Sequence, residues 1–441
     1  MTVTNWNATT SCDPALEATP ASLEELVAIV KDRGRCPSPV RAAGSLHSLN
    51  PCAMTDGTLV RMKAAPFREI GPPANGSVTV GAGVTMFELK NALKQHGLQI
   101  AVTPEIGNAT AGSVACCGTK DASLIHDADE APGQISSTVI GVKMVNAQGQ
   151  IEAVTEAQDP ERMRVIRSSY GLLGIVYEVT FATCPLQMVH YRAESLPLAG
   201  LTLAQARGAA NGFLGFLFPY TGKLVVERRT LDPGATPTLL DRTNRALRNH
   251  IWKTGGFPFA EDPTALDREF EVFFPFLSFR SHRADVMIDF PPGGDHFFDF
   301  GFWAFPASSW ETVIPSYVDF CQTLRRELAF RPALPTEVYF IKKDRKALLS
   351  FSAEDDIFTL DMVHLLHRPA TPDEQTWDEM NRRFNEFAVA HHARPLLNQT
   401  KQLSKSVVAR ALGAAWLTFS AERLKADPDG RFLSGYFRDL L

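Results

Sequence analysis

The chain has 441 residues, enough for two or three domains with substantial hydrophobic cores. Its formal net charge of -5 at pH 7 argues against nucleic acid as a partner, because no surplus of basic residues exists to meet phosphates. No run of about eighteen apolar residues occurs, so we predict no membrane span. The first residues lack the basic and then apolar pattern of a secretory signal, and we therefore expect a cytoplasmic protein.

The seven cysteines are scattered along the chain and include no CxxC pair. This pattern argues against a zinc site and fits reduced thiols in a cytosolic protein. The pairs Asp295-His296 and His391-His392 have no third ligand at a suitable spacing, so we predict no metal site. We interpret both pairs as polar residues at the ends of elements, with a role in an active site as the alternative.

The first predicted elements lead into a segment of small residues around a histidine. A capping box that starts at Ser22 begins a helix that ends at about Lys31, and a strand follows over Pro39 to Arg41. The next residues are Ala42-Ala43-Gly44-Ser45-Leu46-His47-Ser48. Small residues let backbone N–H groups approach a ligand closely, and consecutive N–H groups form an anion-binding concavity. We interpret the segment as a phosphate-binding loop, although such a turn also occurs for simple turn reasons.

A strand, a Gly-x-Gly turn and a helix follow in succession. Residues 77–84 alternate like a strand, and residues 87–96 predict a helix that Gly97 ends. This order invites a nicotinamide-binding Rossmann interpretation. However, Met86 stands where the last glycine of GxGxxG is required, and no acidic residue follows at the expected distance. We therefore do not favour a Rossmann domain.

A second segment of small residues spans Gly107 to Thr119. Its alternative interpretation is a flexible connector, but it lacks the charges and prolines typical of a linker. Two such segments, about sixty residues apart, suit a cofactor with two phosphates held by backbone N–H groups. Further on, residues 134–149 predict a strand and a turn before a second strand, and residues 169–180 predict a turn into a β-rich run.

Phenylalanine becomes frequent in the middle of the chain. The runs 270–279 and 297–303 alternate enough to predict strands, and residues 309–330 predict a helix. Residues 373–390 predict an amphipathic helix. An antiparallel sheet with helices over it is the natural arrangement for this region. Most of the aromatic side chains are expected in the core, and the excess also suits an apolar substrate pocket.

The N-terminal features together resemble a known family. Thr4-Asn5-Trp6-Asn7, the capped helix, the histidine segment and residues 54–60 resemble, in this order, the FAD-linked oxidases of the vanillyl-alcohol oxidase superfamily. The aldonolactone and alditol oxidase branch is the most similar. The tail over residues 419–433, with its Asp-Pro and Gly-x-Phe, resembles the closing motif of that family. The resemblance is dense over the first 185 residues, slight in the middle and moderate over the last 40.

This resemblance implies an α+β fold. It implies a PCMH-type FAD-binding domain of two subdomains over residues 1–185. An inserted α+β substrate domain built on an antiparallel sheet is expected over residues 186–400, and a C-terminal segment over residues 401–441 is expected to return to the FAD domain.

The resemblance also implies the cofactor and its contacts. The histidine at the place of His47 is bonded covalently to the 8α-methyl of the flavin in that branch, which implies FAD attached through His47 here. The sequence departs from the family where a His-Gly pair is replaced by Thr119-Lys120. The cofactor-binding residues that we predict are Arg41, Ala42, Ala43, Gly44, Ser45, Leu46, His47, Ser48, Thr103, Gly107, Thr110, Gly112, Ser113, Ala115, Cys116, Cys117, Gly118 and Ile175.

The catalytic residues of the branch are only partly matched. A Glu-x-Arg on a substrate-domain strand becomes Glu337 and Tyr339 here. A lysine in a Trp-Gly-Lys turn falls at Gln399, or at Lys401 if two residues are inserted. Loss of a cation beside a developing alkoxide removes electrostatic stabilisation, so the substrate or the mechanism is expected to differ from that of sugar-alcohol oxidases. Tyr339 could act as a phenol donor or base, and Asn398 or Gln399 could replace the lost donors.

The implied activity is oxidation of a CH–OH group of a small-molecule alcohol or lactone by hydride transfer to flavin N5. Dioxygen or another acceptor would reoxidise the flavin. The substrate would be a small molecule, and the excess of aromatic residues would also allow a hydrophobic one. One alternative is a flavin-dependent tailoring enzyme that carries out oxidation, cyclisation or redox-neutral chemistry on a hydrophobic secondary metabolite or a sterol-like compound. Another is a non-catalytic flavin-binding protein.

Overall fold

The structure is a computed structural model that describes residues 2–125, 132–254, 262–289, 297–366 and 373–441. The pair Asp295-His296, considered above, lies outside the described residues. Within these ranges, every helix is too short or too polar to span a bilayer.

The N-terminal part of the chain contains two main sheets. Its strands are β1 Val3–Thr4, β2 Ser11–Cys12, β3 Leu16–Ala18, β4 Val40–Ala43, β5 Thr58–Arg61, β6 Ser77–Gly81, β7 Leu98–Gln99, β8 Val139–Val145, β9 Ile151–Thr155, β10 Ile175–Ala182 and β11 Cys184–Pro185. A parallel sheet has the order β3-β5-β4, and an antiparallel sheet has the order β6-β10-β8-β9. The strand pairs β1–β2 and β7–β11 form two small ribbons.

The middle of the chain forms one antiparallel sheet. Its strands are β12 Met188–Pro197, β13 Gly212–Phe218, β14 Lys223–Leu231, β15 Ser278–His282, β16 Phe297–Pro306, β17 Thr336–Ile341, β18 Ile357–Leu366 and β19 Arg394–Pro395. The spatial order is β15-β12-β14-β13-β17-β18-β16-β19. We call this the large sheet.

Helices cover both faces of the large sheet and pack around the N-terminal sheets. They are α1 Leu23–Lys31, α2 Met86–Lys94, α3 Ala111–Cys116, α4 Pro160–Ile166, α5 Leu203–Arg207, α6 Leu239–Thr254, α7 Pro263–Phe273, α8 Trp310–Leu328, α9 Asp373–Ala390, α10 Lys405–Ala426 and α11 Gly435–Leu440. The helices α8 and α9 pack on one face of the large sheet, and α6 and α7 pack on the other. Side chains that alternate along each strand therefore enter two different cores.

Two sequence predictions of local structure were wrong. The run 270–279 is not a strand: it contains the end of α7, the 3-10 turn Phe274–Phe276 and only the start of β15. The buried residues of this region are Leu266, Phe270 and Phe274, which repeat every four residues and give one helical face. The second small-residue segment is not a simple loop either, because its residues 111–116 form α3.

The strand predicted from residue 134 onward was also wrong at its start. Ile135–Thr138 forms a 3-10 turn, and the strand begins only at Val139. The amphipathic helix over residues 373–390 is confirmed with the same bounds, and its Trp377, Met380 and Phe384 are buried.

The C-terminal tail is anchored to the N-terminal part of the chain by Arg431. Its fully buried guanidinium donates to the carbonyl oxygens of Ile29, Val30 and Cys36 at 2.7, 2.9 and 2.7 Å. These carbonyl groups lie at the end of α1 and in the turn after it, where no helical donor is available. The tail therefore donates hydrogen bonds to carbonyl groups that have no donor within the N-terminal part.

We expect Arg431→Met to lower the free energy of unfolding by about 3 kcal/mol, because three buried carbonyl groups lose a charged donor. The control is Arg33→Met, which breaks a pair with Asp429 whose side chains are 53% and 65% exposed. This control should change stability by less than about 0.5 kcal/mol. Urea unfolding of both variants measures the difference, and equal effects would contradict the anchoring role.

Candidate active site

The histidine segment begins where the parallel strand β4 ends. Residues 41–48 line a cavity of about 350 Å³, which we call the large cavity. Among the described residues, no backbone carbonyl accepts a hydrogen bond from the amides of residues 44–48. These amides are therefore available to a ligand, as the sequence predicts for an anion-binding loop.

The two small-residue segments meet at Gly44. A Cβ atom at Gly44 would collide with the hydroxyl groups of Thr110 and Ser113, so this close approach requires glycine. The Ser45 hydroxyl also donates to the Asn108 carbonyl. Chain segments more than sixty residues apart in sequence thus form one wall of the large cavity.

His47 lies in this wall with a neutral imidazole. Burial lowers its pKa to about 4, and a hydrogen bond with the Asn108 side chain opposes this shift only in part. The Trp6 ring packs beside it with ring centroids 5.5 Å apart. The Nδ1 atom is buried and has no hydrogen-bond partner. A neutral imidazole has one unprotonated ring nitrogen, and at a cavity wall that nitrogen is a potential nucleophile.

A smaller cavity lies beside the large one, against the large sheet. It has a volume of about 100 Å³ and shares Ile106, Thr119 and Gln399 with the large cavity. We call it the small cavity. Phe298, Phe300 and Phe302, which alternate along β16, form part of its wall.

Five polar side chains meet at the small cavity. Glu337 and Asp361 are cross-strand neighbours on β17 and β18, and Tyr339 points to the same face of the sheet. The Tyr339 hydroxyl lies 3.1 Å from Glu337 Oε2 and 3.2 Å from Glu105 Oε2. Lys120 Nζ lies 2.6 Å from Asp361 Oδ2 and 3.6 Å from the centroid of the Tyr339 ring.

Burial makes these carboxyl groups weak acids. It raises the pKa of Glu337 to about 8, and the neighbouring Asp361 and Glu105 add to this effect against the opposing charge of Lys120. Burial also raises the pKa of Asp361 to about 6, against the stabilising effect of Lys120. At pH 7 Glu337 is therefore mostly protonated and Asp361 mostly ionised. Asp361 Oδ1 is buried and has no hydrogen-bond partner.

Buried arginines hold Glu105 in place behind this cluster. Arg229 and Arg248 contact Glu105 Oε1 at 3.0 and 3.2 Å. A phenol carries one proton, so a protonated Glu337 can donate to Tyr339 while Tyr339 donates to Glu105. The arrangement fixes the orientation of both side chains.

Comparisons with known proteins fit this geometry. A model described as FAD binding domain matches residues 14–155. An L-gulono-1,4-lactone dehydrogenase from Mycobacterium tuberculosis is 25% identical over 466 residues, which cover 99% of this chain and 98% of the relative. A solvent-stable cholesterol oxidase has the same fold, with a TM-score of 0.78 at 18% identity over 100% of this chain and 97% of that chain. Residues 14–155 therefore form a PCMH-type FAD-binding domain, and the whole chain has the fold of the cholesterol oxidase.

The domain match confirms the predicted FAD-binding domain, and the fold match confirms the predicted α+β fold class. Another relative, a D-arabinono-1,4-lactone oxidase from Kluyveromyces lactis, is 26% identical over 247 residues. These cover 53% of this chain and 45% of the relative, so the match spans less than half of that protein's length.

The residues of this FAD-binding chain fit the cofactor at the large cavity. The cavity offers the free amides of residues 44–48, the Thr110 and Ser113 hydroxyls and the unpaired Nδ1 of His47. Sequence reasoning missed the basic side chains that also line it: Arg61, Lys63 and Arg68. Basic groups and free amides suit a pyrophosphate.

Most of the predicted cofactor residues line the large cavity. They are residues 41–48 and Thr110, Gly112, Ser113, Cys116 and Cys117. The Arg41 guanidinium, however, donates hydrogen bonds to four backbone carbonyls of the protein, including those of Cys52 and Phe432. The Gly112 amide is likewise bonded to the Ala82 carbonyl. The Gly112 amide is therefore not available to phosphate, and of the Arg41 guanidinium only the buried Nε–H has no partner.

The other predicted cofactor residues lie elsewhere. Thr103, Ala115 and Ile175 are buried in the protein interior. Gly107 packs against the Phe87 ring, and Gly118 packs against Leu396. The neighbour of Ile175, Val176, lines the cavity instead, because successive residues of a strand face opposite sides.

The predicted catalytic residues do not all lie at one cavity. Glu337, Tyr339 and Gln399 line the small cavity, and Asn398 lines the large one. Lys401 does not reach either: its Nζ lies 2.5 Å from Asp299 Oδ2, which points away from the cavity side of β16. Among the alternatives left by the sequence, the geometry therefore selects Gln399 over Lys401.

Sequence reasoning did not place Lys120, Asp361 or Glu105 among the candidate catalytic residues, although all three line the small cavity. Lys120 is the one for which a signal was available. It stands where the sequence departs from the family's His-Gly pair, so the departure itself was the available signal. The structure brings this cation to Glu337 and Asp361 from a distant segment. Across the residues that the structure describes, no set of three His, Cys, Asp or Glu side chains is placed to hold a metal ion.

We expect Glu337→Gln to change how stability depends on pH. A raised pKa means that the Glu337 contribution is fully present below pH 4.5 and is lost as pH rises to about 8. Glutamine does not titrate, so the variant does not lose this contribution. Its free energy of unfolding relative to the parent should therefore increase by about 1 kcal/mol per pH unit over that window.

Urea unfolding between pH 5 and 9 measures this effect. The control is Glu379→Gln, because Arg383 and Arg382 lower the pKa of Glu379 and place its titration below this range. The free energy of unfolding of this control should change with pH in the same way as that of the parent. Parallel curves for Glu337→Gln as well would show that the folded protein holds Glu337 ionised.

Proposed function

We propose that FAD occupies the large cavity and is bonded covalently to His47. The observation that supports the bond is a neutral, buried imidazole with an unpaired Nδ1 at the cavity wall. The amides of residues 44–48 and the Thr110 and Ser113 hydroxyls would hold the pyrophosphate. Residues 1–185 and 401–441 would form the FAD-binding domain, and residues 186–400 would form the substrate domain.

The proposed activity is oxidation of a CH–OH group of a small-molecule alcohol or lactone. A polar cluster with shifted pKa values lies in the small cavity, which adjoins the large cavity through Gln399. The relatives named lactone oxidase and lactone dehydrogenase support the same activity. Bound FAD supplies the hydride acceptor for this reaction.

Side chains at the small cavity would accept the proton of the substrate hydroxyl and stabilise the charge on its oxygen. Asp361 Oδ1, unpaired and mostly ionised at pH 7, accepts the proton of the substrate hydroxyl. Lys120 stabilises the negative charge that develops on the substrate oxygen. Protonated Glu337 donates its one proton to Tyr339, which donates to Glu105, so Glu337 adds no second negative charge beside the substrate oxygen. The amides of Asn398 and Gln399 orient the substrate between the two cavities.

Dioxygen is the electron acceptor that we propose. Hydrogen peroxide released in step with substrate oxidation would support an oxidase, and turnover only with an added dye would support a dehydrogenase. The aromatic wall of the small cavity also favours the alternative of oxidation or cyclisation of a hydrophobic metabolite. A product with the carbinol carbon unchanged would identify such chemistry.

We expect the denatured parent protein to stay yellow and to carry the added mass of one FAD. His47→Ala should lose both properties, because the only proposed attachment atom is removed. Absorption spectra after denaturation and intact mass measure this. The control is His96→Ala, an exposed histidine on another segment, which should retain both. Loss of colour from the denatured parent would contradict the covalent bond.

We expect Lys120→Met to slow reduction of bound FAD by alcohol by about 100-fold or more, because a buried cation beside the reacting oxygen is lost. The parent rate should rise with pH through about 6, where Asp361 ionises, and fall through about 8, where Glu337 ionises beside it. The variant should move the lower limb to higher pH, since Lys120 favours ionised Asp361.

Anaerobic stopped-flow absorbance between pH 5 and 9 measures these rates. The control is Lys143→Met, which removes a half-exposed lysine paired with Glu178. A normal rate and an unmoved lower limb in Lys120→Met would rule out the proposed role of Lys120.

A further inference from the structure

The segment Asn5-Trp6-Asn7 packs against the histidine segment from outside both cavities. All three side chains are buried. None of them is among the described residues that line the large or the small cavity. We call residues 5–7 the N-terminal clamp.

The N-terminal clamp holds the main chain on both sides of His47. The Trp6 amide donates to the Leu46 carbonyl at 3.1 Å, and Asn5 Nδ2 donates to the Ser48 carbonyl at 3.0 Å. Leu46 has a φ of 57°, in the left-handed region that leucine rarely adopts. Such a backbone conformation persists where the surrounding structure holds it. The two hydrogen bonds therefore fix the position from which the His47 side chain extends.

The Trp6 ring also restricts the imidazole itself. The two ring centroids lie 5.5 Å apart, with 39° between the ring planes. The imidazole has in addition a hydrogen bond with the Asn108 side chain. A flat aromatic neighbour and a directional hydrogen bond together limit rotation about the side-chain bonds of His47.

The N-terminal clamp is in turn attached to the large sheet. The buried Asn7 donates from Nδ2 to the Phe298 carbonyl on β16 at 2.9 Å. The Trp6 ring lies 6.5 Å from the ring of Phe297 on the same strand, and Trp6 shares an apolar cluster with Phe298. The orientation of His47 thus depends on a strand of the large sheet as well as on its own segment.

We propose that Trp6 is a positioning residue that sets the orientation of the His47 imidazole, in which a ring nitrogen faces the large cavity and forms the bond to FAD. This inference rests on the proposed function. Formation of the bond breaks the imidazole N–H bond and one C–H bond of the 8α-methyl group, and it forms one C–N bond. The two protons and two electrons that are released pass to dioxygen, which leaves as hydrogen peroxide.

The test follows covalent attachment with full-length protein from riboflavin-limited cells, incubated in air with increasing concentrations of FAD. Intact mass after acid quenching gives a limiting rate constant and the FAD concentration for half of that rate. Trp6→Leu should lower the limiting rate constant about tenfold, because a misplaced reacting group slows such a step strongly. The half-rate concentration should stay unchanged, since the backbone amides of Trp6 and of residues 44–48 remain.

Two further variants separate orientation from a general loss of packing. Trp6→Phe keeps an aromatic ring and should restore the limiting rate constant to within about threefold of the parent. The matched control Trp416→Leu removes another buried tryptophan, which packs in the core of the N-terminal part, and it should leave both constants unchanged. Equal limiting rate constants in the parent and Trp6→Leu, or an equal loss in Trp416→Leu, would overturn the inference.

Nuclear magnetic resonance of the histidine side chains before FAD is added separates the two proposals, with His47→Ala used to assign the signal. The parent imidazole should stay neutral from pH 5 to 8, because burial lowers its pKa to about 4. In Trp6→Leu it should titrate within this range, since an imidazole that turns toward solvent regains a pKa nearer about 6.5.

The combined outcomes are distinct. A parent without covalent FAD, in which only Trp6→Leu changes the titration of His47, would refute the proposed covalent bond and support the role of Trp6 in orienting the imidazole. Attachment in the parent, with the same rate and the same titration in Trp6→Leu, would support the bond and overturn the inference.

Discussion

The approach of Gly44 to Thr110 and Ser113 is the contact on which the rest of the site depends. No other residue fits there, because a Cβ atom would collide with both hydroxyl groups. The contact joins the end of β4 to the start of α3 and so closes one wall of the large cavity. Next to this contact, the amides of residues 44–48 have no carbonyl partners and the imidazole of His47 is buried and neutral. Local packing thus creates the conditions for anion binding and for covalent attachment.

The second element of the site is the cavity face of the large sheet, where Glu337, Tyr339 and Asp361 are buried together. Burial alone would keep both carboxyl groups protonated, and the Lys120 ammonium group is what allows Asp361 to ionise near pH 6. Glu337 stays protonated at neutral pH chiefly because it is buried, and two neighbouring acidic groups add to the effect. One cation thus divides two similar carboxyl groups into a proton acceptor and a hydrogen-bond donor. The cation reaches the sheet from the N-terminal part of the chain, so the site depends on how the two parts pack.

Buried arginine side chains, in addition to apolar contacts, hold the C-terminal tail against the N-terminal part of the chain. Arg431 binds carbonyl oxygens at the end of α1, and Arg41 binds the Phe432 carbonyl together with three others. Each guanidinium satisfies several carbonyl groups that have no donor in their own segment. These bonds hold the tail against the N-terminal part, with residues 41–48 and the turn at Asn398 beside them.

The sequence alone identified the FAD-binding domain, the α+β class and the histidine segment, because these depend on short stretches whose small residues and glycines have local causes. The resemblance to the family also placed Glu337 and Tyr339 on a strand. The sequence could not place Lys120 beside Asp361 or distinguish Gln399 from Lys401, and it read the helical residues 270–276 as a strand. Only the tertiary structure decided these points, because they depend on which face of a strand or helix meets a segment more than a hundred residues away. Burial and the resulting shift of pKa follow from that packing, and no local pattern encodes them.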